Sequence, residues 1–251
     1  MSYDFLDLVL WFFMYSFIGW LYESLLYTIN QRRFINRGFL TGPYCPIYGV
    51  GAVLFIVSTN NIDNILLRFL AGALVACTLE YITSYILEKL FHARWWDYTS
   101  RKFNIKGRVC LAGFVVFGIF AAILPWVHLP IWEFTEALPH IWRNFLLILI
   151  VVAFASDIYA TTNGLVKFNR VLAEYQKAIE GHYLSALNFI RHSARTFEMR
   201  IEGRRKQLKH RVLSYQQRRT LESFPHFVST QYGEAVERLR KLNADAKKRK
   251  K

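Results

Sequence analysis

Cysteine is scarce in this chain and placed to do little. The three cysteines, Cys45, Cys77 and Cys110, are odd in number, far apart and set in or beside apolar segments. That excludes a disulfide framework and a thiolate metal site, and leaves them as small hydrophobes. No glycine-rich run ends in Lys-Ser or Lys-Thr, so there is no nucleotide-binding P-loop. No nucleophile and base stand at a recognisable spacing, and no cluster has metal-ligand spacing. His92 is isolated. The chain therefore reads as having no metal, no cofactor and, on balance, no enzymatic role. Positive charge is missing from the N-terminus, where Asp4 and Asp7 stand in place of a leader's cations. The first apolar run is also too long for a leader, and it is expected to persist as a span.

Apolar and basic residues are abundant, and they are segregated. Of 251 residues 53% are hydrophobic and 17% aromatic, yet the formal net charge is +14. The last 87 residues hold 21 of the 32 Lys and Arg but 8 of the 18 Asp and Glu. The division implied is a membrane domain over 1–164 and a basic tail over 165–251. A helix needs about 20 apolar residues to cross the hydrocarbon core. Phe5 to Ile29 and Ile65 to Leu90 satisfy this, and Val109 to Val127 and Ile141 to Tyr159 nearly so. Ile47 to Ser58 is short; it becomes a span only if Gly42-Pro43-Tyr44-Cys45-Pro46 enters the protein as non-helical backbone. The fold class expected is an all-α, polytopic bundle of about five spans with a helical basic tail.

An odd number of spans puts the termini on opposite sides, and the Lys and Arg distribution chooses which. With the tail inside, the inner segments hold Arg32, Arg33 and Arg37, then Lys89, Arg94, Arg101, Lys102, Lys106 and Arg108, then the tail. The outer segments hold only Arg68 and Arg143. The expected protein is a multi-pass resident of the cell membrane, N-terminus outside and C-terminus cytoplasmic.

Ionisable groups inside spans cost several kcal/mol, about 2.5–3.5 on insertion scales, so each should face a partner, a wet cavity or a substrate. Glu23, Glu80 and Asp157 are such groups, and Glu88 lies near an inner span end. Ser16, Trp20, Glu23, Ser24 and Tyr27 share one helix face, as do Glu80, Thr83, Ser84 and Glu88. Two readings stand side by side. Either these stripes and Asp157 line one cytoplasm-facing polar cavity, or the acids pair with Arg37, Arg94 and Arg108 to fix the bundle. Trp95-Trp96 suits headgroup depth, with Arg101, Lys102 and Lys106 beside anionic lipid. Asp97 and Asn104 are less well explained by an aromatic anchor.

In order along the chain come Gly19-Trp20 with Glu23, Arg37-Gly38 through Gly42-Pro43, and Pro46-Ile47-Tyr48-Gly49 with Gly51. Glu80 with Glu88 follows, then Trp95-Trp96-Asp97-Tyr98 with Asn104 and Gly107-Arg108. This ordered set, over about residues 5–160, resembles the ABC-transporter type IV membrane family. The resemblance implies a permease-like subunit with a separate ATPase and, with so few spans, an oligomer. Thr99 departs from the serine expected there, and the tail lies outside the resemblance.

From Phe168, apolar positions at three- and four-residue steps continue through Leu172, Tyr175, Ile179 and on to Ile201, a long amphipathic helix. A shorter helix is expected after Ser223 and Pro225. Arg204, Arg205 and Lys206, with the terminal basic run, suit anionic lipid. No nucleic-acid module is recognisable, so nucleic acid is not an expected partner. A transport subunit leads the functional readings. A non-catalytic scaffold or sensor at anionic lipid comes second, and an enzyme acting on lipid phosphate third.

Overall fold

The computed structural model describes residues 4–59, 62–189 and 215–248. Four helices are long and apolar enough to cross a membrane: α1 (Phe5–Gln31), α3 (Ile65–Phe91), α4 (Leu111–Ala137) and the first part, His140–Glu174, of α5 (His140–Phe189). At 1.5 Å per residue the 27 residues of α1 extend about 40 Å. The shorter apolar helix α2 (Pro46–Thr59) covers about half that length. Its proline stands at the first helical position, where the missing N–H is not needed.

The extended backbone expected before α2 is present. The Cys45 N–H donates to the Ser16 carbonyl at 2.8 Å, midway along α1. The loop therefore reaches the middle of α1 before α2 begins, and α2 packs beside the first half of α1. The two helices approach closely because Gly19 and Gly49 carry no Cβ. A methyl at Gly49 would strike the Phe12 carbonyl and the Ser16 hydroxyl; one at Gly19 would strike the Tyr48 ring. α3 and α4 pack antiparallel in the same way, Gly72 against Ala121 and Gly118 under Phe69. Such small-residue contacts drive association where lipid removes the hydrophobic incentive. Asn64 starts α3, its side chain accepting the Leu66 and Leu67 N–H groups, while His92 stops it in a left-handed conformation.

The end of the bundle where α1 begins is tied by Asp7 and Arg143, 2.7 Å apart and both buried. Trp11 donates to Thr135 nearby. The other end is rich in loops and carries the tail: α6 (Tyr215–Ser223) and α7 (Gly233–Lys248). There β1 (Ala93–Arg94) pairs antiparallel with β2 (Val228–Ser229). A core of Trp95, Phe168, Leu172, Phe227, Ala235 and Val236 joins tail to bundle. The helix expected directly after Pro225 begins only at Gly233, because Val228 is taken up by the pairing with β1. α5 runs unbroken across the expected domain boundary at 164.

Candidate functional site

Among the described residues, the acids singled out by sequence within and beside the spans fall toward the loop-rich end, in four hydrogen-bonded groups. Each group forms where a loop meets a helix. In the first, Glu23 on α1 takes Arg37 at 3.1 Å on one oxygen and the Tyr48 hydroxyl at 3.1 Å on the other. The Arg37 guanidinium also donates to the Ser223 carbonyl of α6 and lies between the rings of Tyr27 (3.9 Å) and Phe224 (4.6 Å). Its backbone N–H donates to Ser24. One side chain thus holds α1, the following loop and the tail together.

In the second group Glu88, near the end of α3, receives Arg94 at 3.0 and 3.2 Å and Arg108 at 2.7 Å. Arg108 lies over the Tyr81 and Tyr85 rings, and its carbonyl accepts the Trp96 indole. Arg101, Lys102 and Lys106 are exposed on the same segment. Asp97 and Asn104 serve that segment's own backbone. Asp97 accepts the Thr99 N–H; Asn104 donates to the Thr99 and Arg101 carbonyls and accepts from Gly107.

Asp157 forms the third group with the loop before α2. Its carboxylate accepts the Gly42 N–H at 2.7 Å, the Thr41 N–H at 3.3 Å and the Thr161 hydroxyl at 3.1 Å. Below it Thr41, Thr161, Gln217, Arg219 and Thr220 line a cleft with about 10 Å³ of free room, enough for one water. Arg219 donates there to the carbonyls of Gly38 and Leu40.

Glu80 is the fourth group, and it differs from the rest. It is 6% exposed, one oxygen accepts the Tyr98 hydroxyl at 3.2 Å, and the other oxygen has no hydrogen-bond partner. The unpartnered oxygen faces Gly113, where a Cβ would sit 3.8 Å away, and Cys110 lies alongside. Burial first, and then the Glu80 carboxylate, hold the Tyr98 hydroxyl well above the usual phenol range, so it remains a donor. A buried carboxyl oxygen without a donor is costly unless a proton, a cation or a ligand N–H or O–H meets it.

Of the acids weighed as partners for Arg37, Arg94 and Arg108, Glu23 takes Arg37 and Glu88 takes both Arg94 and Arg108, an assignment the sequence left open. Glu80 and Asp157 take their hydrogen bonds from Tyr98 and from the Thr41–Gly42 backbone and Thr161 instead. Arg204, Arg205 and Lys206 lie outside the described residues. Among the described residues no group of three or more His, Cys, Asp or Glu could hold a metal. Sequence reasoning missed Tyr48, Tyr98 and Ser223. The two tyrosines belong to motifs already singled out; Ser223 has no signal in the sequence, because its role exists only once the tail docks. It also missed the pairing of Asp7 with Arg143, 136 positions apart.

Residues 10–162 match the model of a family described as "Putative ABC-transporter type IV". That span holds every member of the four groups at their α1, loop, α3 and α5 positions, and stops short of α6 and α7. No curated protein matches the chain, and no solved structure does.

Proposed function

The chain belongs to the type IV ABC-transporter family, and from that premise we propose that it is a permease-like membrane subunit whose polar site centres on Glu80. The loop-rich end faces the cytoplasm on this reading, since Arg32, Arg33, Arg37, Arg94, Arg101, Lys102, Lys106 and Arg108 gather there. The chain carries no ATP-binding motif of its own, so a separate ATPase completes the transporter, and a second copy of the chain completes the pathway.

The observation that carries the site is the contrast among the acids. Glu23, Glu88 and Asp157 have both oxygens satisfied by this chain's own donors, which suits a structural role. Glu80 keeps one oxygen open at the α3–α4 contact, under the segment that carries Tyr98. An intramembrane carboxyl left in that state is where a proton or a cationic or hydrogen-bond-donating cargo gains most.

The test is isolation of the full chain in native-lipid discs together with whatever accompanies it. A co-isolated ATPase in fixed stoichiometry, whose ATP hydrolysis falls at least several-fold with Glu80→Gln at unchanged assembly, supports the proposal. An ATPase indifferent to Glu80→Gln sinks the site and leaves the subunit. Repeated isolation with lipid and no ATPase favours the second reading, a membrane scaffold. The specific support for that alternative is the docked tail, which shares a core with Trp95 and Phe168 rather than standing clear of the bundle.

A further inference from the structure

The segment between α3 and α4 ends in a tip that its own backbone pins. Asn104 bridges Arg101 and Thr99 to Gly107, and the Ile105 N–H donates to the Val109 carbonyl at 3.0 Å. A tip held this way has no structural use for large apolar side chains, yet Phe103 is 79% exposed and Ile105 60%. Phe103 also sits at φ 52°, as does Lys106, a left-handed conformation that bulky L-residues adopt only with strain. Gly or Asn would occupy these positions more easily. Arg101, Lys102 and Lys106 flank the two apolar side chains and are all exposed.

The pattern recurs on a second loop at the same end, where Phe34 is 72% exposed beside the exposed Arg32 and Arg33. Leu90 at the end of α3 and Leu111 at the start of α4 are exposed as well. Exposed apolar side chains thus stand at both roots of the segment, with exposed Lys89 and His92 among them at the α3 root. Apolar tips beside cations suit a medium that is hydrocarbon on one side and anionic a few ångströms away. The headgroup layer of a leaflet containing anionic lipid is that medium, and cations close to it gain from its negative potential.

We propose that residues 101–106 form an interfacial anchor for anionic lipid, with Phe103 and Ile105 in the acyl boundary and Arg101, Lys102 and Lys106 on headgroup phosphates. The anchor depends on the membrane reading and not on transport. It has a consequence for the site above it, because the same segment places Tyr98 on Glu80 and Arg108 on Glu88. Lipid bound at the tip would hold that segment against α3. A protein partner is the competing occupant; the repeat of an exposed phenylalanine beside exposed cations on two loops at the same end favours lipid.

The experiment places the full chain in nanodiscs of phosphatidylglycerol or phosphatidylcholine, each lipid carrying a photoactivatable diazirine near its acyl carbonyl, and maps adducts by peptide mass spectrometry. Adducts at Phe103 and Ile105 are expected, several-fold more from phosphatidylglycerol. The triple variant Arg101→Gln, Lys102→Gln, Lys106→Gln should keep adducts but lose the headgroup preference. If that variant does not fold, the wild-type comparison of the two lipids decides alone. Labelling no greater than on the exposed face of α7 would put the tip in water and overturn the anchor. Equal labelling from both lipids would overturn the anionic part.

Discussion

Removing the Arg37 side chain should release the tail from the bundle. Arg37→Ala deletes the 3.1 Å ion pair with Glu23, the donation to Ser223 and the stacking between Tyr27 and Phe224. The arginine side chain is 10% exposed and that of Glu23 25%. Breaking a fully buried pair costs roughly 3–5 kcal/mol; partial solvation of Glu23, and its remaining bond from Tyr48, bring the ion-pair share down to about 1–2 kcal/mol. The bond to the Ser223 carbonyl is charge-assisted, worth about 1.5–3 kcal/mol, and stacking adds about 0.5–1 kcal/mol. These contributions overlap, and about 3 kcal/mol is a fair total, equivalent to a shift of about 100-fold in docking. Hydrogen–deuterium exchange in nanodiscs reads it directly. Peptides covering α6 and the Phe224–Phe227 turn should exchange about 100-fold faster, while α4 peptides stay unchanged. Arg37→Lys, which keeps charge but loses the planar fork, should recover less than half of the protection. Unchanged exchange across α6 in Arg37→Ala would refute the assignment of Arg37 as the tether.

The end of the bundle where α1 begins offers a stricter case, because the Asp7 and Arg143 side chains are each only 9% exposed. Arg143→Ala should cost about 3–5 kcal/mol, read as a fall in the thermal midpoint in detergent; Arg143→Met with Asp7→Leu should restore most of it, and failure of that rescue would mean the pair does more than hold α1 to α5. Asp157→Ala strands the Thr41 and Gly42 N–H groups. With about 1–3 kcal/mol for each buried donor left open, the loop before α2 should become a new proteolysis site, and Asp157→Asn, keeping one acceptor oxygen, should show about half the effect. Equal cleavage of Asp157→Ala and wild type would remove Asp157 from that role.

The helices were legible because each leaves a local signature: four apolar runs at or near span length, and Pro46 opening a run too short to cross unaided. The non-helical approach to α2 was legible for the same reason, since only backbone that enters the protein makes Ile47 to Ser58 a pass. The pairing of Glu88 with Arg94 was near at hand, six positions apart. What stayed hidden depends on contacts distant in sequence. Nothing around Ser223 announces that its carbonyl meets Arg37, 186 positions away, and nothing around Val228 announces a strand partner at Arg94. The polar stripes of α1 and α3 marked groups that need partners but not which partners they would meet. A stripe says that polar groups must be satisfied; the fold decides whether another stripe or a nearby loop satisfies them.

The loops won, and that bears on how the molecule would work. Glu23 and Glu88 are neutralised by arginines from the segments that follow their own helices, and Asp157 is filled by backbone N–H groups of the loop before α2. Each closed carboxylate is therefore also a latch on a loop at the same end of the bundle. Opening a path to Glu80 from that end means moving the segment that carries Tyr98 and Arg108. Such a motion trades the charge-assisted bonds of Glu88 and the bond from Tyr98 for water, at a cost of several kcal/mol. A spontaneous excursion of that size is rare, with populations of about 1 in 100 to 1 in 10,000 for 3–5.5 kcal/mol. A ligand shifts such an equilibrium only by its differential affinity for the open state. On the permease reading proposed above, an open form would need an outside input at the loop-rich end, which is where a nucleotide-driven partner would have to act. The same geometry would make the segment from Trp95 to Arg108 the element that such a partner has to move.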